Sequence, residues 1–159
     1  LGGAVAAGKQ VTAAAPAKKK ALPVPKMSDL KGPKTEEGVL ISNPAQGTMQ
    51  RVLWLAMQAA MNKDEYQGWT AFKALLHSSQ NFKRTLDGWR QFPFNRFRRQ
   101  ITLYQATPGK PDYRINRIEV QSPTRIKVFV HNKRSIPTPC YLSRDPKAGN
   151  AWRIDNCSL

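Results

Sequence analysis

Residues 140–159 read CYLSRDPKAGNAWRIDNCSL, and they hold both cysteines of the chain, Cys140 and Cys157. DPKAGN, at 145–150, is a turn-forming cluster. The runs on either side read as strands, so the stretch reads as a β-hairpin. If residues 147–150 cap it symmetrically, Cys140 stands opposite Cys157. Opposed residues hold their Cβ atoms about 4.5–5.5 Å apart, and a disulfide needs about 3.5–4.5 Å, so a non-hydrogen-bonded pair closes with little movement. Such a bond fits an oxidising compartment. The other reading is two buried thiols acting as small apolar groups. A loop register different by one residue would send the two side chains to opposite faces. The two histidines, His77 and His131, are scattered, and no CxxC or HxxxH spacing suggests zinc.

Working outward, everything from Tyr113 onward reads as strand. YRINRIEVQ, residues 113–121, alternates but changes phase near Asn116, which predicts a bulge. In TRIKVFVHNK, Ile126, Val128 and Val130 point one way while Arg125, Lys127, Phe129 and His131 point the other. Pro137 and Pro139 suit the beginning of an edge strand. Four antiparallel strands are expected.

The preceding stretch reads as helix. Met49, Val52, Leu53, Ala56, Met57 and Ala60 form one stripe of 3.6-residue period, with Thr48 as N-cap. Asn62 and Lys63 make a break. Asp64 then caps a second helix, whose apolar side is Trp69, Phe72, Leu75 and Leu76 and whose first turn is weakened by Gly68. Thr85 can cap a short turn that Gly88 and Pro93 interrupt. The spacing of Phe94, Phe97, Ile101 and Tyr104 predicts a third helix with Pro93 near its first position. Helices followed by a meander make an α+β roll, here one domain over residues 48–159.

Residues 1–47 read as a flexible basic tail rich in Ala, Lys and Pro, stiffened by Pro16, Pro23 and Pro25. Its opening, LGGAVAAGKQ, reads either as the end of an export signal or as Ala/Gly-rich filler. The chain has 26 Lys and Arg against 10 Asp and Glu, a formal charge of +16. The tail supplies seven Lys and three acids, so about three quarters of the excess sits on the domain. This biases the surface toward anionic partners: acidic proteins, acidic membrane surfaces or nucleic acid. Lys18, Lys19 and Lys20 can touch phosphates or serve as a solvated linker. No apolar run reaches the 18 residues a membrane span needs.

The ending PTPCYLSRDPKAGNAWRIDNCSL resembles the closing hairpin of the nuclear-transport-factor-two-like, or cystatin-like, superfamily. There a turn leads into a strand reading W-[KR]-I, which here is Trp152, Arg153 and Ile154. The order of helices then meander over residues 48–159 is similar as well. The resemblance implies a cone-shaped roll, a curved four-stranded antiparallel sheet wrapped around a long helix and enclosing a pocket. Enzymatic members of that superfamily place Asp, His or Tyr in the pocket, and no such set carries over to this chain. Many members serve binding, assembly or export.

Two basic clusters are candidate binding residues. KRTLDGWRQFPFNRFRRQ sets Arg90, Arg96, Arg98 and Arg99 among Trp89, Phe92, Phe94 and Phe97, the mixture that single-stranded nucleic acid takes. The bland reading is an amphipathic helix with a wet basic face. On the sheet, Arg125, Lys127, His131 and Lys133 share one side, either an anion-binding face or a solvated one. His77 reads as structural, a cation ending the second helix. Asp87, Asp112, Glu119, Asp145 and Asp155 are scattered and form no acid–base pair. No phosphate loop or dinucleotide fingerprint occurs. No metal or cofactor is expected.

The expected function is that of a non-catalytic accessory or assembly protein, periplasmic or secreted, binding a protein partner or anionic surface through a basic face. One alternative is a basic subunit of a ribonucleoprotein or other large assembly in an organellar or intracellular complex. The other is a ligand-binding or enzymatic pocket.

Overall fold

Thr48 and Asp64 start two helices by the same device, a side-chain oxygen that accepts from a first-turn amide. Thr48 Oγ1 accepts from Arg51 N at 3.3 Å, opening α1 (Met49–Met61). Asp64 Oδ1 accepts from Gln67 N at 3.0 Å, opening α2 (Glu65–Lys73). The computed structural model that shows this describes residues 2–3 and 21–159. Most of the opening LGGAVAAGKQ, Pro16 and the Lys18–Lys20 run lie outside the described residues.

All six stripe residues of α1 are buried. Gly68 has a packing reason: a Cβ there would stand 2.6 Å from the Ala59 carbonyl oxygen of α1, so its absence lets the two helices approach closely. Leu75 and Leu76 are buried but lie past the end of α2.

The third helical segment corrects the expected restart at Pro93. Its first part, α3 (Lys83–Trp89), begins at Phe82 without a side-chain cap, so Thr85 is not the cap. It runs through a π-helical turn, Arg90–Phe94, directly into α4 (Asn95–Gln100). Proline lacks the N–H that an α-helix interior requires. The wider turn around Pro93 absorbs that loss without breaking the chain direction. Phe94 and Phe97 stay buried as their spacing predicts. Ring centroids of Phe72 and Phe94 lie 4.9 Å apart, Trp69 and Phe94 5.6 Å, and Phe97 and Tyr104 5.9 Å. These rings belong to the same core as the sheet's inward residues, so side chains fill the interior.

The sheet has six strands rather than four, all antiparallel and adjacent in chain order. They are β1 (Lys34–Thr35), β2 (Gly38–Ile41), β3 (Tyr113–Ser122), β4 (Arg125–Val130), β5 (Thr138–Asp145) and β6 (Ala151–Cys157). The sheet is open, with β1 and β6 at its edges, so it differs from the expected four-stranded cone-shaped roll. The first two strands lie inside the stretch read as tail. Their apolar run is short, but Val39 opposes Ile115, Ile41 opposes Tyr113, and both are buried. Pairing with β3 supplies the burial that local sequence lacks. The bulge expected near Asn116 is present, as the register slips between Ile115 and Arg117.

β5 lies between β4 and β6 and is not an edge strand. Pro139 is tolerated there because it sits at the strand's beginning, opposite Phe129, where β6 has already ended. The hairpin that follows has a loop of five residues, Pro146–Asn150, since Asp145 opposes Ala151. Gly149 and Asn150 take left-handed backbone, φ 62° and 61°. This loop is one residue out of the symmetric register. A slip between Tyr141 and Leu142, which leaves Asp155 as the extra residue of β6, cancels the offset and puts Cys140 opposite Cys157. The two are disulfide-bonded with Cα atoms 4.1 Å apart.

The outer edge of β6 is covered by the chain after α2. Ile154 N donates to Leu75 O and His77 N donates to Ile154 O, each at 2.8 Å. His77 therefore does not end α2. It heads the short turn Ser78–Gln80, where its Nδ1 accepts from Ser79 N at 3.1 Å.

The disulfide closes a separation of 17 residues, worth about 3 kcal/mol by the chain-entropy argument. Replacing both cysteines by serine should lower the denaturant-derived unfolding free energy by about that amount at unchanged far-UV circular dichroism. Gly68→Ala should cost about 1–3 kcal/mol on the same assay, although alanine is the better helix former, because its methyl meets the Ala59 carbonyl.

Candidate functional site: the basic outer face of the sheet

Strand alternation sends Ile126, Val128 and Val130 inward to full burial and leaves Arg125, Lys127 and Phe129 on the outer face. Cross-strand pairing then sets their neighbours. Arg117 of β3 opposes Phe129, Glu119 opposes Lys127, Tyr141 of β5 opposes Lys127, and Ser143 opposes Arg125 on one side and Arg153 on the other.

These residues form a ladder of cations on rings. The Arg117 guanidinium lies 4.0 Å over Phe129, and Lys127 Nζ lies 4.9 Å from the same ring and 5.4 Å from Tyr141. Arg125 lies 4.3 Å over Tyr141 and donates through Nε to Asp155 Oδ2 at 2.9 Å. Ser143 Oγ donates to the same oxygen at 2.7 Å. The bulge residue of β6 thus anchors one end of the ladder. Arg117 Nη2 also pairs with Glu119 Oε1 at 3.2 Å. Four cations, with Arg153, face two carboxylates, so the face keeps a positive excess. Phe129 is only 9% exposed beneath its two cations.

The expected sheet cluster is only partly assembled. Arg125 and Lys127 belong to the face, but β4 ends at Val130. His131 N donates to Arg114 O, and its Nε2 lies 4.0 Å from Glu37 Oε2. Lys133 N donates to Leu103 O, which turns that residue toward the end of the third helical segment. The strand stops because Asn132 makes a turn, its Oδ1 accepting from Arg134 N at 3.0 Å.

The helix arginines serve mainly as struts. Arg90 grips Glu65 in a bidentate pair, Nε–Oε1 2.9 Å and Nη2–Oε2 2.7 Å, which lowers the Glu65 pKa and raises that of Arg90. Arg96 donates to the Leu159 carbonyl through Nε and Nη2, and Arg98 Nη2 donates to Asn62 O at 2.7 Å at the end of α1. Arg99 is exposed, with no ion pair among the described residues. The aromatic partners of this cluster, Trp89, Phe94 and Phe97, are core, while Phe92 is 65% exposed.

Sequence reasoning missed Arg117, Tyr141 and Arg153 as members of the face. Their signal was the pairing register, readable only once the bulges at Asn116 and Asp155 are placed. Among the described residues, no group of three or more His, Cys, Asp or Glu is placed to hold a metal ion, and no helix is long and apolar enough to cross a membrane. Compared with family models, with curated proteins and with solved structures, the chain matches none.

Asp145, the last residue of β5, is 2% exposed and pins the hairpin turn to the chain after α2. Its Oδ2 accepts from Ser78 N at 2.8 Å, and its Oδ1 accepts from Ser78 Oγ at 2.8 Å and Lys147 N at 3.0 Å. Burial alone would raise this carboxyl, but those three bonds, with nearby His77, outweigh it and hold the group below its usual value. A depressed folded pKa gives stability that is present above the unfolded value and lost as pH falls through the folded one. Thermal stability should therefore drop as pH falls below 3.8, the unperturbed value. Asp145→Asn should lower stability at pH 7 and flatten the acid limb, as read by melting temperature against pH.

Proposed function

We propose that this domain is a non-catalytic accessory or assembly protein that docks an acidic segment of a protein partner on the outer face of its sheet. The observation that carries this is the ladder of Arg117, Lys127 and Arg125 over Phe129 and Tyr141. Rings beneath long cationic side chains reduce the rotamer freedom that binding would otherwise remove. Positive excess on the face steers an acidic partner and sets its register. The disulfide supports an exported or peripheral location, since such bonds persist in oxidising compartments. The W-R-I strand and the order of helices before the main strands support kinship with the nuclear-transport-factor-two-like rolls, many of which bind or assemble. That kinship also suggests an internal pocket, but here aromatic side chains occupy the interior, which favours a surface role.

Nucleic acid is the rival occupant, favoured by the charge. Base stacking needs open ring faces. Phe129 is covered by Arg117 and Lys127, and this favours an acidic polypeptide over single-stranded nucleic acid.

The test is a nuclear magnetic resonance titration of the isotope-labelled protein with a glutamate decamer and, separately, with a thymidine decamer. The glutamate peptide should shift backbone signals along β3, β4 and β5. Binding should weaken steeply with added salt. The double variant Arg117→Glu with Lys127→Glu should raise the dissociation constant by about tenfold or more. Tighter binding of the thymidine decamer would move the assignment to nucleic acid. No shifts from either probe at low ionic strength would end the proposal.

A further inference from the structure

Beside the outer face, past the β6 edge, is a cavity of about 610 Å³. Three parts of the chain wall it: the last turn of α2 with Lys73, the segment after it with His77 and Asn81, and the hairpin with Lys147 and Arg153. Lys73, Lys147 and Arg153 make no ion pair with any acid among the described residues. Arg153 uses one N–H on the Trp152 carbonyl, Nη1–O 3.1 Å, and its remaining donors are available. The one carboxylate in the lining, Asp145, forms no ion pair with them. Both of its oxygens are taken by Ser78 and by the Lys147 amide. Those bonds tie two walls of the cavity together, so the cations stand on braced backbone. His77 is also engaged: Nδ1 accepts from Ser79 N, and Nε2 faces Arg144 O at 3.2 Å.

We infer that this cavity binds a phosphate monoester, with Lys73, Lys147 and Arg153 as its ligands. The matching of charge and donors selects this class. A phosphate monoester carries nearly two negative charges and three acceptor oxygens at neutral pH. A guanidinium fork and two ammonium groups supply the complementary cations and donors. With the ionised Asp145 carboxylate counted against the three cations, the lining keeps two positive charges, which the monoester's nearly two negative charges balance and a carboxylate's single charge does not. The site is separate from the acidic-partner face except for Arg153, and Lys73 and Lys147 have no part in the ladder.

The experiment is isothermal titration of the full chain with inorganic phosphate, a phosphoserine peptide, its serine and glutamate counterparts, and a hexose phosphate. Phosphate and at least one ester should bind, with the glutamate peptide weaker by about tenfold or more and the serine peptide silent. The tighter ester tells whether the monoester comes from a modified side chain or a free metabolite. The exposed pair Lys73→Ala with Lys147→Ala should weaken phosphate binding by about tenfold or more while leaving melting temperature and glutamate-decamer binding unchanged. Equal binding of glutamate and phosphoserine peptides, or phosphate binding unmoved by the double variant, overturns the inference. An unsubstituted chain that binds phosphate but not the glutamate decamer would count against the acidic-partner proposal alone.

Discussion

The register of the last hairpin depends on one extra residue, and the pairing of Cys140 with Cys157, the burial of β6 and one end of the outer face depend on that register. A five-residue loop would leave the two cysteines out of register, because strand side chains alternate faces at every step. Asp155 absorbs the difference as a bulge. The same bulge spaces Ile154 and Cys157 three apart while both stay buried, and it brings the Asp155 carboxylate to Arg125 and Ser143. One local irregularity therefore serves covalent closure, core packing and the charge pattern of the outer face.

The helical half obeys a comparable economy. Pro93 would ordinarily end a helix, yet the π turn around it carries the chain from α3 into α4. That continuity keeps Phe94 and Phe97 on the core and aims Arg90, Arg96 and Arg98 at backbone and carboxylate partners. Charge in this region is largely structural. An arginine gripping a carbonyl in a partly buried site stabilises the contact between two segments, and its charge is less accessible to a ligand. On the sheet and around the hairpin turn, Lys127, Lys73 and Lys147 make no ion pair among the described residues, which leaves their charge open to a ligand.

The elements with strong local periodicity were legible. The apolar stripe of α1, the caps at Thr48 and Asp64, the alternation of β4 and the bulge at Asn116 all follow from spacing alone. β1 and β2 were not legible. Four residues of strand become stable only against β3, whose sequence lies beyond the helices. The candidate face was half legible: Arg125 and Lys127 followed from alternation within one strand, while Arg117, Tyr141 and Arg153 came from neighbouring strands. The expected place of His131 and Lys133 failed because alternation continues on paper past the point where Asn132 turns the chain.

Residue order alone settled the helical stripes, the strand faces, the basic excess and the availability of a hairpin disulfide, because each is a property of neighbours along the chain. Tertiary structure decided which strands stand side by side, how two bulges adjust their registers, and which cations meet a carboxylate, a carbonyl or open water. Those outcomes depend on distances between residues far apart in sequence, and no local period encodes such distances.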